Sequence, residues 1–354
     1  MRLPLFPMRE QKDAKKKLIE DLGEFALIDH LTQGFLKQND STYLGVGDDA
    51  ALIDINPSEY LAFTTDHLVE GIHFDVTYVP LKHLGYKAVV VNLSDLYSMN
   101  AIPEQISVSL AISSKYTLEA IEAIYDGVYE ACQRYGVDLI GGDTTSSQIG
   151  MMINVAAMGR VKKNQVTRRS GAKEHDLICV SGDLGAAYMG LQVLEREKAV
   201  FKDNPDIQPD LAGYEYILER QLKPEARKDL ISWFSTENIL PTSMIDISDG
   251  LASELLHLAK NSKVNCRVYE EKIPIDPQTV GAAETFQINQ TTAALNGGED
   301  YELLFTLDQK HFDKIRETEG IYIIGHVVDS TEGNYLITNS ESAVPLKAQG
   351  WTAF

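Results

Sequence analysis

The sequence predicts an α/β (α+β) protein of two domains. Strand-like and helix-like runs alternate along most of the chain, and 354 residues suffice for two separate cores. A content of 44% apolar and 24% charged residues is that of an ordinary soluble globular protein. Residues 1–22 read as an N-terminal extension: "MRLPLFPMREQKDAKKK" is basic, broken by Pro4 and Pro7, and lacks the long apolar region of a signal peptide. A helix is expected over Lys15–Leu36. "ALIDI" and "YLAFTTD" suit strands, and "PLKHLGYKAVVVNLSDLYSMNA" reads as one apolar helix with Leu84, Ala88, Val91 and Leu96 near a common face. "QISVSLAI" is strand-like, and "TLEAIEAIYDGVYEACQRYG" is an amphipathic helix stopped by Gly136. Two further strands, "VDLIGGD" and "MMINVAAMGRV", complete a first domain of residues 23–168.

The second domain, residues 169–354, opens with the buried strand and turn of "DLICVSGDLG". A helix over Ala186–Arg196 follows. Residues 198–212 carry two prolines and little periodicity, which reads as a mobile surface insertion. Helices near 214–221 and 225–235 precede "MIDISDG", and the amphipathic "LASELLHLAKNS" follows it. Short strands and helices then alternate through "YELLFTL" and "IYIIGHV". There is no internal repeat and no low-complexity tract.

Charge narrows the partners. With 52 acidic against 32 basic residues the net charge is −20, which repels phosphate backbones and makes nucleic acid a poor partner. No apolar run is long enough to cross a bilayer. Cys132, Cys179 and Cys266 are widely spaced, in apolar surroundings and without metal-ligand spacing, as reduced thiols of a cytoplasmic protein would be.

One pattern recurs: apolar runs end in carboxylates, at Asp66, Asp95, Asp143, Asp249 and the Glu299–Asp300 pair. Each alone suits a helix cap or a turn, and Asp249 could cap the helix after it. Together they can converge on one edge of an α/β fold. The adjacent Asp48 and Asp49 of "GVGDDAAL" are either a polar turn or one corner of the same site. With Thr64, Thr65 and Ser248 nearby and no Cys or His cluster, the donors are oxygens, which favours Mg²⁺ over Zn²⁺ or copper. "DISDG" is not an EF-hand, because the twelfth position from Asp246 is His257 rather than Glu. Mg²⁺ on carboxylates commonly binds nucleotide phosphates, yet neither a P-loop nor an HRD or DFG signature occurs. Glycines at "GVGDD", "IGGDTT" and "SGDLG" could admit a phosphate or simply make tight turns.

"GVGDDAAL", "TTDHLVEGIHF", "NLSDL", "LIGGDTT", "RRSGAK", "IDISDGL" and "GGEDYELLFT" occur in this order. Together they closely resemble thiamine-monophosphate kinases, of the aminoimidazole-ribonucleotide-synthetase-like ATP-binding superfamily, from about Gly23 to the C-terminus. The resemblance implies a two-domain synthetase-like fold and a homodimer formed by the sheets of the N-terminal domains. It implies transfer of the γ-phosphoryl group of ATP to thiamine monophosphate, with several Mg²⁺ ions. By motif, the metal ligands would be Asp49, Thr64, Thr65, Asp66, Asp95, Asp143, Asp246 and Asp249, and the nucleotide contacts Gly142, Asp143, Arg169 and Ser248. Thiamine-phosphate contacts would be His73, Glu299 and a tail aromatic, here Trp351; His73 could equally cap its loop, and Asp300 would fix the loop of Glu299. Asp48 would support Asp49. Two stretches depart from the family pattern: Tyr97, Ser98 and Asn100 replace small residues and a glycine, and Glu174–His175 replaces a Pro-Gly turn.

The chemistry is coherent with that resemblance. A phosphate monoester has a second pKa of about 6, so it is a dianionic nucleophile near pH 7 and needs no general base. Direct in-line transfer without a phosphoenzyme is therefore expected. A selenophosphate-synthetase-like enzyme would place a reactive Cys near the N-terminus, whereas the first here is Cys132, inside a helical pattern. Another synthetase of the superfamily and a silent nucleotide- or cation-binding protein are the alternatives.

Overall fold

The structure, a computed structural model, describes residues 24–34 and 36–350, so the expected N-terminal extension of residues 1–22 and Trp351 lie outside the described residues. The described residues fall into two units. Before Asn39 there is one helix, α1 (Glu24–Thr32), shorter than the periodicity predicts within the described range. The described residues from Asn39 onward belong to the second unit.

That unit contains two sheets. The first is built from β1 (Thr42–Leu44), β2 (Ala51–Asp54), β3 (Glu59–Val69), β4 (Ile102–Ser113), β5 (Asp138–Ser147) and β6 (Met152–Lys162), in the order β1-β2-β3-β6-β4-β5. All pairs are antiparallel except β4–β5, whose crossover is helix α3 (Leu118–Tyr135). The helix starts on the Thr117 side chain, which accepts from the Ala120 N–H at 3.3 Å, and stops at Gly136 with φ 74°.

Helix α2 (Leu81–Ser98) lies between this sheet and the second one. The predicted single apolar face is not what forms: α2 is buried from Leu84 through Ser98 except at Asp95, because protein covers it on every side. It approaches α3 so closely that a Cβ on Gly85 would lie 1.9 Å from the Ile124 carbonyl oxygen. Asn100, just beyond it, takes φ 58°, a conformation Asn tolerates where the family has glycine. Tyr97 is turned into the core against Tyr135, ring centroids 6.3 Å apart, and away from the space behind Asp95.

The second sheet has the order β13-β12-β9-β11-β7-β10-β8. In chain order its parts are β7 (Leu177–Ser181), α4 (Ala186–Asp203), α5 (Glu215–Leu222), α6 (Lys228–Glu237), β8 (Ser243–Asp246), α7 (Leu251–Ser262), β9 (Asn265–Tyr269), α8 (Pro277–Phe286), α9 (Gln290–Asn296), β10 (Leu303–Leu307), α10 (Phe312–Arg316), β11 (Ile321–Val328), β12 (Tyr335–Ile337) and β13 (Ala343–Pro345). The expected insertion at 198–212 is partly helix: α4 runs to Asp203 because no breaker precedes Asn204–Pro205.

Strand alternation joins the two layers. Leu177 and Cys179 of β7 belong to the apolar cluster that also holds α2 and the first sheet, while Ile178 and Val180 face a second cluster under α7. Cys179 and Cys266 are buried, and all three thiols are free; burial pushes the Cys132 thiol up to about 11 and the Cys266 thiol up to about 12.

Candidate active site

Four segments converge below the C-terminal half of α2. Asp49 ends the glycine loop before β2, Asp95 sits on the last turns of α2, and Asp246 closes β8. One carboxylate oxygen of each lies within 4.8 Å of the others. Asp49 and Asp246 are buried, while Asp95 keeps some accessible surface. Asp66 on β3 is close enough to add to the field on Asp95 and Asp246.

Hydroxyls of α2 and β3 hold these carboxylates. Ser94 Oγ donates to Asp246 Oδ2 at 2.7 Å, Ser98 Oγ to Asp49 Oδ2 at 2.8 Å, and Thr64 Oγ1 to Asp95 Oδ2 at 2.6 Å. The buried Asn92 side chain accepts from the Asp66 N–H at 3.0 Å and fixes the strand there. The remaining cost is electrostatic. Burial first, then Asp66, Asp246 and Asp49, raise the Asp95 carboxyl well above the usual range. Burial and Asp49 raise Asp246 to about 7, against the Ser94 hydrogen bond and Arg169.

Asp48 and Asp49 take different parts. Asp48 accepts from the Arg169 main-chain N–H at 3.1 Å and from the Asp49 N–H at 3.2 Å, holding the loop, and burial beside Asp49 raises its carboxyl to about 6. Asp49 reaches into the cluster and accepts the Arg169 side chain, with Nε at 2.9 Å and Nη2 also bonded. Arg169, a nucleotide contact by resemblance, is thus the charge partner of Asp49 in this structure.

Not every motif residue joins the cluster. Thr65 follows Thr64 along a strand, so its hydroxyl points to the opposite sheet face, where it donates to the Val155 carbonyl at 3.1 Å and accepts from Asn154 at 2.8 Å. In this structure its hydroxyl therefore faces away from the one that Thr64 gives to Asp95. Asp143 lies on the exposed edge strand β5, three strands across from β3, which is about 14 Å of sheet from Asp66. The glycines of "IGGDTT" make no turn. They lie within β5, where Gly142 packs so tightly that a Cβ would sit 1.7 Å from the Val108 oxygen. The "SGDLG" turn is filled from within: its Gly185 N–H donates at 2.8 Å to Asp300, the loop-fixing residue.

The loop from β8 to α7 meets the loop before β10. Glu299 N–H donates to the Ser248 carbonyl at 2.7 Å, and Tyr301 N–H to Ile247 at 2.9 Å. Asp249 does not cap α7, whose N-cap is Gly250; instead Glu254 accepts from the Asp249 N–H at 2.8 Å and the Ser248 N–H at 3.3 Å. The same contacts place Glu299 against two residues that line a cleft. Its Oε2 meets Lys87 Nζ at 3.0 Å and the Gln221 amide nitrogen at 2.8 Å. His73 lines that cleft with Phe74, Tyr78, Lys87 and Gln221. His73 also closes its own loop, Nδ1 accepting from the Val69 N–H at 3.1 Å, so the ring proton belongs on Nε2; burial lowers its pKa.

Sequence reasoning missed Lys87, Asn92, Ser94, Gln221 and Glu254. An available signal was the spacing of Lys87, Ser94, Asp95 and Ser98 along one helix with an otherwise apolar sequence.

Residues 47–161, which hold α2 and most of the first sheet, match the family described as "AIR synthase related protein, N-terminal domain". A hydrogenase maturation protein HypE, solved in complex with ATP, shares the fold at a TM-score of 0.68 and 18% identity. Likeness narrows further over the whole chain. The thiamine-monophosphate kinase of Bacillus subtilis is 32% identical over 341 residues, covering 94% of this chain and 100% of that protein. That of Escherichia coli is 33% identical, covering 94% and 98%. The structure described as "AaThiL complexed with AMPPCP and TMP" superposes with a TM-score of 0.82 and 29% identity, covering 96% of this chain and all of the other. The chain belongs to the thiamine-monophosphate kinase family.

Proposed function

We propose that this protein transfers the γ-phosphoryl group of ATP to thiamine monophosphate, giving thiamine diphosphate and ADP in one in-line step. The observation that carries the reading is the meeting of Asp49, Asp95 and Asp246, one carboxylate oxygen of each within 4.8 Å of the others. The donor set is all hard oxygen, and burial together with mutual repulsion raises two of the carboxyls, so it fits divalent cations such as Mg²⁺. Asp49, Asp95 and Asp246 would hold them, with Asp66 and the loop of Ser248 and Asp249 alongside. When bound, such ions neutralise phosphate charge and favour in-line transfer.

The chain's own residues then bind and orient. Arg169 can pass from Asp49 to a phosphate, since guanidinium and phosphate match in geometry. Glu299 offers its carboxylate to the thiazolium cation, and Lys87, 3.0 Å from it, holds that carboxylate in place. No residue has to take a proton from a dianionic acceptor.

ADP release should require ATP, thiamine monophosphate and Mg²⁺ together, and chelation should abolish it. Equal turnover of free thiamine, or ADP release without any acceptor, would overturn the reading. A phospho-aspartate trapped by rapid quench would overturn direct transfer.

The same reading divides the second unit into an ATP- and metal-binding domain ending near Arg168 and a second α/β domain, in a cytoplasmic homodimer. Its supports are the free buried thiols and the outward face of the first sheet, where Phe63, Ile102, Ile140 and Met152 are exposed although apolar. Light scattering should give twice the chain mass; a monomer at micromolar concentration would exclude the dimer.

A further inference from the structure

Gln221, at the end of α5, belongs to no motif, yet its side chain is only 6% exposed and lines the cleft of His73. Its orientation is fixed by chemistry. The amide nitrogen donates to Glu299 Oε2 at 2.8 Å, and a carboxylate can only accept, so the amide oxygen must take the other position. That oxygen, Oε1, is buried with no hydrogen-bond partner among the described residues. Lys87 secures the arrangement from below, with Nζ 3.0 Å from the Gln221 carbonyl oxygen and 3.0 Å from Glu299. Turning the amide over would set two acceptors against each other at Glu299. A buried acceptor locked in one orientation, on a residue that lines the cleft, is completed by an N–H or O–H donor from whatever enters there.

We propose that Gln221 is a specificity residue that accepts a hydrogen bond from the exocyclic amino group of the substrate's aminopyrimidine ring. This rests on the assignment of thiamine monophosphate as acceptor. The amino group is the N–H donor that thiamine carries on its pyrimidine, and the cleft offers that flat ring the aromatic side chains of Phe74 and Tyr78. The Glu299–Gln221 pair then selects in two ways. It satisfies the amino group, and it rejects a ring bearing a carbonyl there, because the amide cannot flip to donate without losing Glu299.

The test compares thiamine monophosphate with oxythiamine monophosphate, in which a carbonyl replaces the amino group. The parent enzyme should prefer the amino compound by about 100-fold or more in kcat/KM. Gln221→Met, similar in length and without the acceptor, should raise KM for thiamine monophosphate about tenfold, with the smaller part of the loss in kcat. It should also cut the preference to below about tenfold, which a merely structural role would not do. Gln221→Asn, which withdraws the amide by one methylene, provides a second variant, and titration of the parent with both phosphates and no ATP reads the same preference as affinity. If the parent turns over thiamine monophosphate but uses both compounds equally, or either variant keeps the full preference, the Gln221 assignment falls and the kinase assignment stands. Failure of the parent to turn over thiamine monophosphate overturns both.

Discussion

Asparagine in place of Asp95 should slow phosphoryl transfer by on the order of 10²–10³-fold and, in chelator at pH 8, raise the melting temperature. The two effects have one origin. Three carboxylates with oxygens within 4.8 Å of one another repel, and Asp66 adds to the field. Asparagine keeps an oxygen to accept the Thr64 hydroxyl but removes one charge. The pH dependence has a definite sign. A carboxyl raised on folding holds a proton that the unfolded chain releases from about pH 4 upward, so stability is lost as pH climbs. For Asp246 the loss is complete near its folded value of about 7. The metal-free parent should therefore melt at falling temperature between pH 5 and 8, and the variant less so. Mg²⁺ should raise the parent's melting temperature more at pH 8 than at pH 5, and raise the variant's far less. A variant that melts below the parent at pH 8 in chelator, or keeps full activity, would remove the cluster from the mechanism.

How legible this site is in the sequence depends on the kind of residue. Asp49, Asp95 and Asp246 stand out because each ends or interrupts an apolar run and falls in a family motif. Thr65 illustrates a rule that the sequence already contained: in "FTTD" within a strand, only alternate side chains share a face. Gly141 and Gly142 read as a turn because glycine is common there, but the structure uses Gly142 for close contact with β4, and Ile140 is the extra residue of the register shift between them. The α2 residues were hidden for a different reason. A helix covered on all sides has no polar face to contrast with an apolar one, so Lys87, Asn92 and Ser94 look like interruptions of a core pattern. The departures Asn100 and His175 were legible as departures, but not as left-handed positions, φ 58° and 72°. Gln221 carries no local signal, because its meaning arises from a contact 78 residues away.

The second large effect concerns the loop that carries Glu299. Glu302→Ala should destabilise the protein by about 3–5 kcal/mol at pH 7, read from denaturant unfolding. Glu302 is buried between two arginines: Arg220 Nη1 lies 2.9 Å from Oε1, Arg227 is bonded to Oε2, and Ser181 Oγ donates to Oε2 at 2.6 Å. Burial alone would raise its carboxyl, but Arg220 and Arg227 overcome this and lower it. Its stabilisation is therefore present above the unfolded carboxylate range and is lost as pH falls through the folded value. Removing the carboxylate takes from both guanidinium groups the acid they share, the costly half of breaking a buried ion pair, although Arg227 keeps Asp229 at 2.9 and 2.8 Å. Arg220→Met should cost less, because Glu302 keeps Arg227, although it forfeits the donors to the Asp183 and Asp300 carbonyls at 3.1 and 3.2 Å. Those bonds hold the chain immediately after Glu299, so both variants should also raise KM for thiamine monophosphate. If Glu302→Ala unfolds within about 1 kcal/mol of the parent, the buried triad does not anchor this loop, and the aim of Glu299 must come from Lys87, Gln221 and the loop's backbone bonds to Ser248 and Ile247.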